Sequence, residues 1–230
     1  PSLTELMCYC NRLTSLPSLP SSLVLFDCHE NDLTSLPVLP SSLESVDCRD
    51  NELTILPDLP TSLQYFSCSS NKLSSLPELP SKLISIKCDD NKLVSLPELP
   101  RSLIYLWCYD NYLTSLPPLP LSLILIDCDR NELTSLPKLP RSLDSLECNN
   151  NQLKVLPQLP PHLRMLNCPN NRLTSLPILP VSLECINCDS NHISLLPPLP
   201  ERLISLSCKK NPFAEFPELP LDLLRLVYDT

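Results

Sequence analysis

The sequence predicts a solenoid, in which short parallel strands stack along the chain and bury one continuous core. Its residues follow a period of 20 without insertion, and Leu occupies every twentieth position from Leu3 to Leu223. Asn recurs in the same way from Asn11 to Asn211, and Cys from Cys8 to Cys208. A short fixed period is typical of solenoids, because each unit buries its apolar face only against its neighbours.

Repeat positions are numbered 1 to 20 below, with residue 101 at position 1 of its repeat. The 230 residues hold eleven full repeats over 3–222 and a partial twelfth over 223–230, which predicts a single domain over 1–230. Gly is absent, whereas Pro reaches 28 residues and recurs at positions 17 and 20. Strict periodicity distinguishes this proline from that of a disordered segment.

The apolar positions of one repeat predict a strand, a turn and an extended return. In the repeat that starts at residue 101, apolar residues alternate with period two around residues 105–107, which predicts a short parallel strand there. Asn111 follows this strand, where its amide is expected to bond backbone groups of the turn. Pro117 and Pro120 fix φ and remove two donors, so the return is predicted to be polyproline-like, with little or no helix.

Eleven of the 13 cysteines occupy position 8 of successive repeats. On parallel strands their side chains point the same way at a spacing of about 4.8 Å. A disulfide instead needs Cβ atoms that face each other at about 3.8 Å. We therefore expect a ladder of buried, reduced thiols. Reduced thiols and the absence of Asn-x-Ser/Thr glycosylation sequons favour an intracellular location.

The pattern L-x-x-L-x-C-x-x-N-x-L-T-S-L-P-x-L-P-x-S resembles the leucine-rich repeat, specifically the short bacterial-type class. The resemblance covers residues 3 to 227. Similar repeats occur in bacterial secreted effectors, some of them fused to an E3 ubiquitin ligase domain, and in proteins of large DNA viruses that infect amoebae. The resemblance implies a parallel sheet that lines a concave face and binds other proteins.

Several function classes are disfavoured by composition. A net charge of −9 with 17 scattered basic residues argues against a nucleic-acid partner. No apolar run is long enough for a membrane span. Without Gly, the glycine-rich phosphate loops and the nucleophile elbow cannot form. The three His residues, His29, His162 and His192, occupy different parts of the repeat and are expected to be solvated, so we predict no enzyme activity, catalytic residue, metal site or cofactor.

Variable residues on the outward strand positions 5, 7, 9 and 10 carry the predicted function. Thirteen of the 26 acidic residues fall there, against six basic ones, which favours a basic partner. Exposed aromatic residues are enriched in interface hot spots. The predicted partner-binding residues combine both features: Tyr65, Tyr105, Trp107, Tyr109, Tyr112, Asp89, Asp110, Asp127 and Asp129. Two alternatives stay open: the charge serves only solubility, and the rings only shield the sheet.

The sequence therefore predicts a non-catalytic scaffold that binds a basic protein or peptide on an acidic, aromatic-bearing concave face. The alternative is the substrate-recognition arm of a larger enzyme, such as an E3 ubiquitin ligase effector, with its catalytic domain outside this chain. The bare apolar edge at Leu3, Leu6 and Cys8 also predicts weak self-association through the N-terminal end.

Overall fold

The computed structural model of the protein describes residues 2–213 and 215–229. These residues form twelve strands of three residues each: β1 (Glu5–Met7), β2 (Leu25–Asp27), β3 (Ser45–Asp47), β4 (Tyr65–Ser67), β5 (Ser85–Lys87), β6 (Tyr105–Trp107), β7 (Leu125–Asp127), β8 (Ser145–Glu147), β9 (Met165–Asn167), β10 (Cys185–Asn187), β11 (Ser205–Ser207) and β12 (Arg225–Val227). The predicted strand over 105–107 is confirmed. No helix occurs in the described residues, and hence none that could cross a membrane.

Contacts within the chain group into two compact units, residues 1–113 with β1 to β6 and residues 114–230 with β7 to β12. In each unit the strands pair in parallel and in chain order, one repeat apart. In the first unit Phe26 pairs with Val46, and in the second Ile186 pairs with Leu206. The predicted single domain over 1–230 stays a prediction, and its end residues, numbers 1 and 230, lie outside the described residues.

In β2 to β10 the middle residue of each strand points into the core, together with the Cys that follows the strand and the Leu or Ile beyond the turn. In the repeat of β6, Leu103, Leu106, Cys108 and Leu113 are all fully buried. Neighbouring repeats supply the same set at the same height, so each unit has one continuous apolar core. This constant core leaves the first and third strand residues free to vary on the opposite face, called the strand face below.

The asparagine after each strand joins consecutive repeats, as predicted. The Nδ2 of Asn91 donates to the carbonyl of Cys68 in the preceding repeat at 3.0 Å and to that of Cys88 at 3.2 Å. Its Oδ1 accepts from the backbone N–H of Leu73 at 3.0 Å. One buried amide thereby satisfies backbone groups on two repeats, which is a structural role.

The thiols at position 8 lie in this core. Burial raises the pKa of the Cys48 thiol well above its usual value and that of Cys168 to about 12. The Sγ of Cys48 donates to the carbonyl of Ser67 on the next repeat at 3.3 Å. Protonated thiols of this kind are poor nucleophiles.

Position 10 of eleven repeats adopts a left-handed backbone with φ between 48° and 55°. This conformation favours Gly, yet the residues found there are Cys10, Glu30, Asp50, Ser70, Asp90, Asp110, Arg130, Asn150, Asn170, Ser190 and Lys210. Each of them turns the chain sharply after the strand. The turn therefore holds positions 9 and 10 of one repeat against those of the next.

Candidate interaction surfaces

The predicted aromatic surface in the first unit is centred on β6. Tyr105 and Trp107 are the first and third residues of that strand, and their rings stack with centroids 5.8 Å apart. Lys87 pairs with Trp107 across β5 and β6, and its Nζ lies 5.1 Å from the centre of the Trp107 ring. Tyr105 is 38% exposed, but Trp107 is half-buried. Trp107 is expected from the sequence to be exposed, but it is only partly so because Lys87 and Tyr105 cover it.

The other predicted tyrosines surround this pair at different depths. Tyr65 lies at the same repeat position as Tyr105, with Ser85 between them in register, which sets their strands roughly 10 Å apart. It is 50% exposed. Tyr109 is half-buried, whereas Tyr112, beyond the turn, is exposed. We call Tyr65, Tyr105, Trp107 and Lys87 the aromatic patch.

The predicted acidic residues of the first unit differ in exposure. Asp110 is half-buried at a left-handed turn position. Asp89 is only 6% exposed and accepts a hydrogen bond from the Ser69 hydroxyl at 2.7 Å. The expectation that Asp89 points outward into solvent is therefore wrong. The turn directs position 9 sideways onto the neighbouring repeat, so its carboxylate is used within the fold.

In the second unit, Asp127 and Asp129 are also engaged internally. The backbone N–H of Asp129 donates to Asp127 at 3.2 Å. Asp129 in turn accepts from the backbone N–H of Asn149 at 2.6 Å and from its Nδ2 at 2.5 Å. Burial, aided by the charges of Asp127 and Glu147, raises the pKa of Asp129 to about 7. Asp129 therefore carries only part of a negative charge at neutral pH.

A groove on the strand face of the second unit was missed in the sequence. It encloses about 360 Å³ and is lined by Met165, Leu166, Asn167, Cys185, Ile186, Asn187, Asp189, Ser205, Ser207, Lys209, Arg225 and Val227. The signal that could have revealed it is the run of small residues at positions 5 and 7 of consecutive repeats, such as Cys185, Ser205 and Ser207. Small side chains on neighbouring strands leave space above the sheet.

A second missed feature lies at the turns that follow β1 and β2. His29 is only 9% exposed, its Nδ1 lies 2.5 Å from Oδ1 of Asp27, and its ring stacks on Tyr9 with centroids 4.7 Å apart. Cys10 Sγ donates to Oε2 of Glu30 at 3.2 Å, and this hydrogen bond raises the pKa of the Cys10 thiol. The expectation of a solvated His29 is wrong because the turns bring positions 9 and 10 of successive repeats together.

Comparison with known proteins agrees with this geometry. No family model and no curated protein matches the chain. Among solved structures, YopM from Yersinia enterocolitica WA-314 is 35% identical over 100% of this chain, with a TM-score of 0.77. The chain spans 60% of the length of that YopM. A Shigella effector leucine-rich repeat domain is 30% identical, with 74% of this chain and 70% of that domain covered and a TM-score of 0.56.

The chain belongs to the leucine-rich repeat proteins of the bacterial effector class. The predicted fold of a parallel repeat solenoid is thereby confirmed. The plant peptide hormone receptor RGFR1 in complex with RGF2 is 23% identical and covers 91% of this leucine-rich repeat chain and 44% of its own, with a TM-score of 0.60, which shows the fold alone. No finding supports a viral origin.

Proposed function

We propose that this leucine-rich repeat protein is a non-catalytic scaffold that binds another protein through its strand face. The exposed Tyr105 ring, stacked on Trp107, is the observation that carries the proposal. Large rigid rings on a strand face supply contact area at a low cost in conformational entropy. The plant receptor with the same fold is seen in a complex, which supports a protein or peptide as the partner class.

The proposed partner is basic. Asp27 and Asp47 pair directly across β2 and β3, so two like charges stand side by side on the first unit. Such pairs destabilise a sheet. Arg49 Nε, 3.6 Å from Oδ2 of Asp47, offsets part of this repulsion, and a cationic partner offsets more of it.

Lys87 already lies over the Trp107 ring. The face of the Tyr105 ring that is not stacked on Trp107 therefore accepts an incoming Arg or Lys side chain. Free thiols in the core support a reducing, intracellular setting as part of the same proposal.

Weak self-association is a further part of the proposal. β1 stands at the end of the strand order in the first unit, and Leu3 is 46% exposed beside the half-buried Leu6. Sedimentation velocity of the chain over a range of concentrations tests this contact, and a sedimentation coefficient that stays constant contradicts it. No observation on the described residues favours a substrate-recognition arm of a ligase over the scaffold.

The test compares the wild type with a Tyr105→Ser/Trp107→Ser variant. Ser already stands at these two positions in β11, as Ser205 and Ser207, so the fold accommodates the change. Met165→Ser, at the same repeat position in the second unit, is the matched control. Proteins captured from lysate are identified, purified and titrated against all three forms by calorimetry at low and high salt.

We expect the double variant alone to weaken binding of the purified partner by 10-fold or more, which is about 1.4 kcal/mol. Affinity should also fall with salt if the partner is basic. Equal binding of the partner by all three forms would show that the aromatic patch is not part of the interface. Salt-independent binding lost in the double variant would keep the patch and overturn the basic partner.

A further inference from the structure

We propose that Cys10, His29 and Glu30 form a Zn²⁺ site in the first unit, with Asp27 as the residue that orients His29. The Sγ of Cys10, a ring nitrogen of His29 and a carboxylate oxygen of Glu30 all lie within 4.8 Å of one another. Thiolate, imidazole and carboxylate together are the donor set that Zn²⁺ prefers, whereas Ca²⁺ and Mg²⁺ take oxygen ligands.

The imidazole is already held in the orientation that a metal ligand needs. Its Nδ1 contacts Oδ1 of Asp27 at 2.5 Å, which leaves Nε2 turned toward Glu30, at 3.9 Å from Oε1. Metal-binding His residues commonly donate their second N–H to a carboxylate, which fixes the tautomer and raises the basicity of the ligand nitrogen. Tyr9 stacks on the ring at an interplanar angle of 12° and fixes its plane.

The thiol contacts the other oxygen of the same carboxylate. Cys10 Sγ donates its proton to Oε2 of Glu30 at 3.2 Å. Zn²⁺ replaces this proton between sulfur and oxygen: the S–H bond breaks, a sulfur–zinc bond forms, and the proton leaves to solvent. Three protein ligands result, and the fourth tetrahedral position is open to water or to a group from a partner, as in zinc sites that exchange ligands.

Sequence placement supports a specific pairing. Cys10 is the only Cys at position 10, and His29 is the only His at position 9, among all the repeats. The two departures occur in adjacent repeats, where the backbone N–H of Cys10 donates to the carbonyl of His29 at 3.0 Å. A core or turn function requires neither residue, because Ser70, Ser190 and Asn149 occupy the same positions elsewhere.

Two other clusters of the described residues fit a metal less well. The second cluster consists of Asp27, His29 and Asp47 and so uses the same histidine. There, however, Arg49 Nε lies 3.6 Å from Asp47 Oδ2 and supplies the positive charge. Asp127, Asp129 and Glu147 offer only carboxylates, and Asp129 already accepts two hydrogen bonds from Asn149. The Cys10 cluster alone combines soft and borderline donors.

The test is titration of the reduced protein with Co²⁺, followed by displacement with Zn²⁺ in competition with a chromophoric chelator. We expect one equivalent of Co²⁺ to give a thiolate-to-cobalt charge-transfer band and the visible bands of a tetrahedral site. The variants Cys10→Ser and His29→Asn introduce residue types that other repeats carry at the same positions, namely Ser190 and Asn149. Both variants should therefore keep the fold. Circular dichroism without metal checks this.

Cys10→Ser should abolish the charge-transfer band, and both variants should weaken Zn²⁺ binding by 100-fold or more. Cys185→Ser, which removes the other thiol outside the ladder, should leave both readouts unchanged. A charge-transfer band that persists in Cys10→Ser, or that vanishes in Cys185→Ser, would overturn the proposal. So would wild-type protein that binds no stoichiometric Co²⁺.

Asp27→Asn and Asp47→Asn separate the orienting role from general charge. Asn187 shows that Asn at position 7 keeps the turn hydrogen bond, since its Oδ1 accepts from the backbone N–H of Asp189 at 3.2 Å. Asp27→Asn should keep the cobalt spectrum and weaken Zn²⁺ binding by about 10- to 100-fold. Asp47→Asn should change the affinity less than 3-fold, and an equal loss in both variants would contradict the orienting role of Asp27.

Discussion

The aromatic patch of the first unit and the groove of the second unit occupy the same repeat positions on strands of the same register. In the patch, Tyr105 and Trp107 fill positions 5 and 7 with stacked rings. In the groove, Ser205 and Ser207 fill them with hydroxymethyl groups and leave about 360 Å³ open. Side-chain size at two positions therefore decides whether this frame presents a raised surface or a depression.

The two surfaces also differ in how they use basic side chains. Lys87 lies over the Trp107 ring, so its charge is already paired with an aromatic face. Lys209 and Arg225 line the groove, where Asp189 accepts from the backbone N–H of Lys209 at 2.7 Å rather than from its ammonium. The groove therefore presents two basic side chains beside Asp189, whereas the aromatic patch presents ring faces and Lys87.

The largest expected effect tests whether the asparagine after the strand stabilises the two units equally. Asn91→Ala in the first unit and Asn171→Ala in the second each remove contacts to three carbonyls and one N–H. Each should lower the free energy of unfolding by about 3 kcal/mol, because buried backbone groups lose their partners. Urea denaturation measures both, and a difference above about 1 kcal/mol would show that the frames differ.

A pH effect should be confined to the second unit. The pKa of Asp129 is raised to about 7, so the folded protein holds a proton that the unfolded chain releases near its ordinary pKa. This contribution to stability is fully present below the unfolded pKa and is lost as pH rises toward 7. A shift of this size corresponds to roughly 4 kcal/mol, which solvent screening of the partly exposed carboxyl reduces to about 2 kcal/mol. Wild type should lose this amount of unfolding free energy across the window, and Asp129→Asn should lack the loss.

Urea melts at pH values from 4 to 8 measure this difference. A stability that falls with pH by the same amount in wild type and in Asp129→Asn would contradict the assignment to Asp129.

The packing within the aromatic patch should contribute a smaller amount. A double-mutant cycle on Tyr105→Ser and Trp107→Ser should give a coupling energy of about 1 kcal/mol, as expected for a stacked aromatic pair. The equivalent cycle on Met165→Ser and Asn167→Ser in the second unit is the comparison and should give a coupling near zero. Equal coupling in the two cycles would show that the rings add nothing beyond ordinary neighbours.

The smallest expected effect concerns the left-handed turns, which both units contain. Ser70 has φ of 50° and Asn170 has φ of 55°. Ser70→Gly should stabilise the protein by about 0.5 kcal/mol, because relief of the left-handed strain exceeds the entropy that Gly adds to the unfolded chain. Asn170→Gly should be neutral or slightly destabilising, since Asn tolerates this conformation. Thermal unfolding of both variants measures whether Ser70→Gly is the more stabilising of the two substitutions.

Much of the fold is predictable from the sequence because the period fixes it. The strand at 105–107, the buried Leu106 and Cys108 and the structural role of Asn111 all follow from position within one repeat. The candidate interaction surfaces are harder to predict from the sequence, because their geometry depends on contacts between residues one repeat apart. Asp89 is buried by Ser69 of the preceding repeat.

The same limit explains the other misses. Trp107 is covered by Lys87 on the preceding strand, and Cys10 meets Glu30 of the next repeat. None of these contacts is visible when each repeat is considered alone. Comparison of variable residues at a separation of 19 or 20 positions is the analysis that would have found them.

Because of the thiol ladder, the ability of the unfolded chain to refold depends on the redox state of its surroundings. In the folded protein burial keeps thiols such as Cys48 and Cys148 protonated and inert. Global unfolding exposes the ten buried thiols together, at the ordinary pKa of cysteine. Air oxidation then joins them at random, and the cross-linked chains cannot restore the repeat register. Thermal unfolding should therefore be reversible in reductant and a one-way reaction without it.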